Sequence, residues 1–560
     1  MITTDTETVH EEYDNWISQN KIKAFFKHDP ALWTNQDEAK WMGWLDPQIE
    51  MQSIPAIESL AVTLKKEGIK DIIVLGMGGS SLCPDTLAII FGKIADFPKL
   101  HILDSTDPAQ IQTLDDKIDL RNSFFIVSSK SGSTLEPNIF LDYFYTRLQN
   151  IIPDQAGQHF IAITDPGTAL VKKAEELKFR NIFYGVPAIG GRYSALSNFG
   201  MVPAGLMGIP IKQFLQYADE MRQACELSST DEHNPGIYLG VVMGVHAKQG
   251  RNKITFIITP EIAALGSWLE QLLAESTGKQ GTGLIPINDE PLGKPEVYGR
   301  DRLFIYIRHE ATAAKEQDAA MQQLEDKGFS VVKINVSDKM HLGAEFYRWE
   351  IATAVAGSIL GINPFNQPDV EEAKQLAMKI MQKYEETQQL PHFEPFISEK
   401  NISLYTDENY LQILQQTRSH QTIHDYIHAH LQQLKINDYF NISAFIEMSA
   451  DNMESLQACR LWVRDNKKVA TCLGFGPRFL HSTGQLYKGG PNTGVFMQIT
   501  TDHTKDIPVP HHHYTFGNVI TAQAHADFSV LAKLSRRILQ IHLSGDVKQG
   551  LNQLLAILKQ

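Results

Sequence analysis

Phe124-Phe125-Ile126-Val127-Ser128-Ser129-Lys130-Ser131-Gly132-Ser133-Thr134 passes from an apolar run straight into a loop made almost wholly of hydroxyl side chains. A short apolar run closed by a turn reads as a buried strand. A helical pattern begins where the loop ends. Upstream, Asp71–Leu75 runs in the same way into Gly76-Met77-Gly78-Gly79-Ser80-Ser81. A helix start presents unpaired backbone N–H groups and a partial positive charge, and so favours an anion. Small residues let that anion approach, and hydroxyls add donors for several phosphate oxygens. In open parallel sheets such sites lie beyond the carboxyl ends of the strands. Neither loop has the spaced Gly-Lys-Ser/Thr of a Walker loop, which argues against a nucleotide. The glycine loop alone is equally readable as a tight turn. Five hydroxyls and a lysine within Ser128–Thr134 exceed what a helix cap requires.

The same alternation extends along the chain. The runs at His101–Leu103, Phe160–Thr164 and Ile182–Tyr184 join the first two strands in one parallel sheet covered by helices. A second α/β stretch starts near Gly236, with strands expected at Lys253–Thr259, Leu303–Arg308 and Ser330–Val336. Its helices are expected at Glu261–Ser276, Phe346–Leu360 and Val370–Glu385. Gln389–Lys400 reads as a linker. A third stretch comes after it, with strands at Phe440–Met448, Lys468–Leu473, Phe496–Thr500 and Ile538–Leu543, and helices at Met453–Val463, Ala522–Ser535 and Asp546–Leu558. Residues 1–54 read as helical, with Trp33, Trp41 and Trp44 packing on the α/β region beyond them. The expected organisation is this helical segment, then α/β units over 55–235, 236–390 and 401–560.

The chain has 560 residues, is 43% hydrophobic and carries a net charge of −14. That balance argues against non-specific nucleic-acid binding but leaves room for a locally positive site. The four cysteines form no CxxC pair, so no zinc ribbon or disulfide framework is expected, and a reducing, cytoplasmic location fits. Met1–His10 is polar and acidic, unlike a secretory signal, and no apolar window is long enough to suggest a membrane span. His511–His513 follows Pro508 and Pro510 and has no partner ligand in view, so no metal is assigned there.

Five motifs in order resemble the phosphoglucose isomerase family, which is built from sugar-isomerase (SIS) domains. They are Gly76–Ser80, Ser129–Thr134, Gly190-Gly191-Arg192-Tyr193-Ser194, Gln271–Lys279, and Asn363–Pro368 with Val370-Glu371 and Lys374 after it. Phe475–Val495 and Tyr514–Gly517 also resemble the isomerase half of bacterial transaldolase–isomerase fusions. The resemblance implies parallel-sheet, flavodoxin-like SIS domains and the exchange of glucose 6-phosphate with fructose 6-phosphate through a cis-enediol, with no cofactor. In this reading Ser80, Ser129, Ser131 and Thr134 bind the phosphate, beside Gly79 and Lys130. Glu275 moves the proton, Arg192 holds the enediolate, and Gln271 and Gln367 position hydroxyls. Lys374 takes part in opening the sugar ring. A carboxylate suits the base and a permanently charged guanidinium suits the enediolate. Gln271 and Glu275, one turn apart, share a helix face.

The family also uses a histidine a short way after the catalytic carboxylate. Here Ile287–Tyr298 contains none. Leu480-His481-Ser482-Thr483-Gly484-Gln485 resembles the loop that carries it, so 401–560 reads as a degenerate copy of the second SIS domain that supplies His481. In many family members this histidine comes from the partner subunit, so a homodimer is compatible. His341, near a helix start at Glu345, is the weaker alternative. The rival readings are an isomerase of mannose 6-phosphate or an aminosugar phosphate, and a sugar-phosphate-binding regulator without chemistry. No basic helix-turn-helix accompanies the latter.

Overall fold

Buried β-rich runs alternate with helices three times over, and the computed structural model folds them into three sheets. It describes residues 7–49, 51–227, 233–312, 314–417 and 420–560. The first sheet comprises β1 (Asp71–Gly76), β2 (Lys99–Leu103), β3 (Ser123–Ser128), β4 (Phe160–Thr164) and β5 (Asn181–Tyr184), ordered β2-β1-β3-β4-β5. The second contains β6 (Lys253–Ile258), β7 (Ile285–Ile287), β8 (Arg302–His309) and β9 (Ser330–Val336), ordered β7-β6-β8-β9. The third contains β10 (Ile397–Glu399), β11 (Ile402–Tyr405), β12 (Tyr439–Phe445), β13 (Ala470–Phe475), β14 (Gly494–Thr501) and β15 (Arg537–Leu543). Its order is β10-β11-β15-β14-β12-β13.

The parallel core of the third sheet, β13-β12-β14-β15, repeats the strand order of the second and of the first four strands of the first. In each, the chain leaves the first strand, adds a neighbour on one side and then crosses to the other. The crossing point lies at the carboxyl ends, where open α/β sheets place their ligands. Strands buried on both faces read as nearly continuous apolar runs, and β3 and β4 are buried throughout.

The helices that matter here are α1 (Leu82–Phe91), α2 (Leu135–Ile151), α3 (Leu265–Thr277), α4 (Leu342–Leu360), α5 (Glu371–Thr387), α6 (Ala450–Lys467) and α7 (Phe516–Lys533). α1 and α2 begin directly after the glycine and hydroxyl loops, as expected. α3 begins at Leu265 rather than Glu261, because Pro260 first opens a separate 3₁₀ turn over Pro260–Ile262. α7 begins at Phe516 rather than Ala522. Thr515 and Asn518 form a reciprocal capping box there, which starts the helix before its apolar stripe is evident. α4 starts at Leu342, and His341 precedes it without a side-chain cap, with Nδ1 lying 3.1 Å from Asp338 Oδ2.

Within the segment expected to be helical, residues 1–6 and 50 lie outside the described residues, and the rest has two helices, Glu7–Ser18 and Lys21–Phe26, followed by 3₁₀ turns. Trp33 Nε1 donates to Ala354 O at 2.8 Å, and Trp44 stacks on Tyr193 at 4.9 Å. The region read as a linker contains β10, which pairs antiparallel with β11. β10 is three residues with no buried position and carries no periodic signal of its own, whereas β11 alternates and buries Ile402 and Leu404.

The stretch that lacks the family's histidine clamps the third unit to the second. Glu290 is fully desolvated and accepts from Arg302 Nη1 at 2.6 Å and Nη2 at 3.1 Å. It also accepts from Thr471 N at 3.1 Å and Thr471 Oγ1 at 2.6 Å on β13. From α6, Gln457 donates to Asp289 O, Arg460 to Asn288 O and Arg464 to Pro291 O. Burial pushes the Glu290 carboxyl up, but the Arg302 guanidinium outweighs it and holds the group below the ordinary glutamate value. Replacing Glu290 by Leu would leave Arg302 buried and unpaired. Urea unfolding is expected to show a loss of about 3–5 kcal/mol. The wild-type contribution is fully present above about pH 4.3. It is lost as pH falls through the lower folded value.

Candidate active site

The site is assembled from segments far apart in the chain. The glycine loop comes first. Gly78 has φ +55°, and a Cβ there would lie 2.7 Å from His481 O. A Cβ on Gly79 would lie 1.9 Å from Gly191 O. These glycines let the loop press at once on the Arg192 turn and on the His481 loop.

Arg192 sits on the 3₁₀ turn Gly191–Tyr193 and is 2% exposed. Its Nε donates to Ser276 Oγ at 2.7 Å, and its Nη2 to Pro364 O at 2.6 Å and Asn366 O at 3.0 Å. Its Nη1 donates to Gln367 Oε1 at 3.0 Å and faces Glu275 Oε1 at 3.6 Å. Four anchors hold the plane of the guanidinium, and its remaining charge points at the carboxylate.

Glu275 lies on the last turns of α3. Gln271 Nε2 donates to Glu275 Oε2 at 3.0 Å and to His481 O at 3.0 Å. The one-turn spacing therefore places both side chains on one face, and Gln271 ties that face to the third unit. Lys279, just beyond α3, donates to Ser276 O at 2.9 Å and Asn363 O at 2.6 Å. It joins the end of the helix to the loop that cradles Arg192. Burial, with Arg192 close by, lowers its pKa well below that of an ordinary lysine.

His481 Nε2 lies 2.9 Å from Glu136 Oε1, and Gln523 Nε2 donates to the same oxygen at 2.6 Å. Thr106 Oγ1 in turn donates to Gln523 Oε1 at 2.7 Å. Burial pushes the Glu136 carboxyl up, but His481 more than offsets this and leaves it below the usual glutamate value. Glu136 is in the first turn of α2, His481 comes after β13, and Gln523 is on α7. The histidine loop therefore reaches the cleft within one chain.

Ser131, Thr134, Lys374 and His481 line a common cleft of about 280 Å³, together with Ser133 and Glu136. Lys374, near the start of α5, lies 3.6 Å from Glu371 Oε1 and stands across the cleft from the start of α2. Glu275, Arg192, Gln271 and Gln367 form the adjoining polar cluster, and the two groups meet at His481. Other expected residues stand back. Lys130 pairs with Asp165 and donates to Val186 O at 3.3 Å, so its charge is directed behind the loop. Ser129 is buried and donates to Thr134 Oγ1 at 3.2 Å, bracing the loop. Ser80 is buried beside Gly79 in the short turn before α1. His512, in the histidine tract, pairs with Glu385 Oε1 at 2.8 Å.

The phosphoglucose isomerase family model matches residues 51–286. That span holds the two loops, Arg192, Gln271 and Glu275. Among curated relatives, the glucose-6-phosphate isomerase of Campylobacter jejuni is 28% identical over 369 residues, covering 58% of this chain and 88% of the relative. That of Methanocaldococcus jannaschii is 25% identical over 349 residues, covering 56% and 85%. That of Mycoplasmopsis pulmonis is 26% identical over 419 residues, covering 66% and 98%. Among solved structures, a hypothetical protein from Thermus thermophilus superposes with a TM-score of 0.59 at 22% identity, covering 68% of this chain and 99% of that one. A glucose-6-phosphate isomerase from Chlamydia trachomatis gives 0.51 at 19%, covering 61% and 74%. Both share the fold.

Three residues of the cluster escaped the reading of the sequence. An acidic residue in a first helical turn is what a helix dipole favours anywhere, so Glu136 carried no separate signal. Gln523 meets Glu136 across 387 positions, and no local pattern reports that. Lys279 lay inside a quoted motif, but its two carbonyl acceptors are visible only in three dimensions. No helix among the described residues is long and apolar enough to cross a membrane.

Proposed function

We propose that this chain is an isomerase that interconverts glucose 6-phosphate and fructose 6-phosphate. The observation that carries this reading is the bridge made by Gln271, which touches the carboxylate of Glu275 and the backbone of His481 with the same nitrogen. It brings a base for C1 and C2 next to a group suited to the ring oxygen.

The phosphate rests at the start of α2, against the hydroxyls of Ser131, Ser133 and Thr134 and the backbone N–H groups there. Lys374 adds positive charge from the opposite wall. His481, oriented by Glu136, exchanges a proton with the ring oxygen while Lys374 serves the anomeric oxygen, and the chain form results. Glu275 then removes the C2 proton, and the negative charge that develops on oxygen faces Arg192. A proton passes from the C2 hydroxyl to O1, and return of the proton from Glu275 to C1 gives the ketose. Arg192 is already fixed before reaction, so little reorganisation opposes the step.

Replacing His481 by Ala tests this division of labour. Turnover of cyclic glucose 6-phosphate is expected to fall by about 100-fold or more. An acyclic substrate presented to the same variant is expected to lose far less. Equal losses on both substrates, or none on either, would remove His481 from ring opening.

A further inference from the structure

A second cavity, of about 380 Å³, lies at the carboxyl end of the third sheet, beyond Phe445 of β12, Thr500 of β14 and Gln540 of β15. α7 forms one wall through Asn518, Thr521 and His525, and the segment Pro391–Phe393 forms the rim. The strand order makes this the counterpart of the cleft at the end of β3, since β14 leads into α7 as β3 leads into α2. The cavity is large enough for a small ligand.

Its chemistry differs from that of the first cleft. The start of α7 is already occupied by a carboxylate, because Gly517 N donates to Asp506 Oδ1 at 2.8 Å and Thr515 Oγ1 donates to Asp506 Oδ2 at 2.5 Å. Asp502 is a second carboxylate in the lining, and the described lining residues include no lysine or arginine. Burial, reinforced by His542, lowers the His525 pKa to about 4, so that imidazole is neutral at neutral pH. An anion would meet two carboxylates and no fixed cation. The other lining groups are hydrogen-bonding side chains held in place. His542 lies 3.0 Å from Thr500 Oγ1 and 3.1 Å from Asp502 Oδ1, and Gln540 Nε2 donates to Thr500 Oγ1 at 3.2 Å. Beside them are flat apolar faces. Phe393 stacks on His525 at 4.8 Å with an interplanar angle of 28°, and Phe445 lies at the floor. The wall is rigid, because the other face of α7 is tied down by Gln523 to Glu136 and by Asp527 to Lys488 at 2.6 Å.

We infer that this cavity binds an uncharged monosaccharide or cyclic polyol, with its C–H face on Phe393 and its hydroxyls on Asn518, Gln540 and the carboxylates. Asn518 can donate through its amide nitrogen, its oxygen being held by Thr515 N and Oγ1, while the Gln540 oxygen and the carboxylates can accept from hydroxyls, and an aromatic face covers the apolar side of a sugar ring. The site is separate from the cleft that holds Ser131 and Lys374.

The test is calorimetric titration of the full-length protein with D-glucose, D-fructose and myo-inositol, in the presence of a saturating equilibrium mixture of glucose 6-phosphate and fructose 6-phosphate. Saturable binding of at least one of the three is expected. Thr521→Phe, which fills the cavity, and Phe393→Ala, on the exposed rim, are each expected to weaken it at least tenfold, as read by the shift in Kd. Phe393 is 41% exposed, so its loss leaves folding intact even if the larger side chain at Thr521 does not. Absence of saturable binding to all three, unchanged binding in Phe393→Ala, or inorganic phosphate binding more tightly than the neutral ligands would each overturn the inference. Isomerase activity, assayed separately, bears only on the function of the first cleft.

Discussion

Glu275→Gln is expected to lower kcat for glucose 6-phosphate by about 1,000-fold while changing KM little. The substitution keeps the shape of the side chain. The amide oxygen can still accept from Gln271 Nε2, which lies 3.0 Å from Glu275 Oε2 in the wild type. What disappears is basicity, so an amide in this position cannot take a proton from carbon. The measurement is a coupled assay together with the wash-in of solvent deuterium at C2, which reads proton transfer directly. Because the amide keeps the size and shape of a side chain that is only 12% exposed, the melting temperature should move little. A Glu275→Gln enzyme with near wild-type exchange would eliminate the mechanism. An inactive wild type would eliminate the proposed function.

Arg192→Ala should affect both chemistry and folding. The guanidinium is nearly fully buried, and its removal strands the carbonyls of Pro364 and Asn366, the Ser276 hydroxyl and Gln367 Oε1. Each buried polar atom left without a partner costs roughly 1–3 kcal/mol, so denaturant unfolding should show a loss of several kcal/mol. Removing the group that faces the developing oxyanion should also lower kcat by about 100- to 1,000-fold. Arg192→Lys separates the two effects. A lysine keeps the charge but has one nitrogen, which cannot reach the four acceptors on which the fork closes. It is expected to recover part of kcat and little of the stability. Unchanged kcat in both variants would exclude Arg192 from the chemistry.

Much of the fold was legible because the strands are buried on both faces. Phe160–Thr164, buried throughout, has the bounds its apolar run suggests, and the edge strand Ser330–Val336, with Asn335 exposed, also has the expected bounds. Elements with weak local patterns were not legible. β7 is three residues long, and β10 is a three-residue edge strand whose order comes from pairing with β11. The early start of α7 depends on a side-chain cap rather than on periodicity.

At the site, local sequence reported residue types and their spacing along one helix or loop. It placed Gln271 and Glu275 on one face, because one helical turn separates them. It flagged Ser131 and Thr134, because hydroxyls crowd a helix start. It showed that Ile287–Tyr298 lacks a histidine. It could not show that this stretch clamps the third unit through Glu290, Arg302 and Thr471, a loop residue and one residue from each of two sheets.

Of the loop from Phe124 to Thr134, the chain alone indicates a strand that ends in a helix start whose polarity suits an anion, since burial and backbone polarity are local properties. Which hydroxyls face the cleft is a tertiary matter. Ser131 and Thr134 line it, whereas Ser129 braces the loop and Lys130 turns back to Asp165. The meeting of His481 with Glu136, 345 positions apart, is tertiary as well. Contacts of that separation arise from how three sheets pack, and no neighbouring residue encodes them.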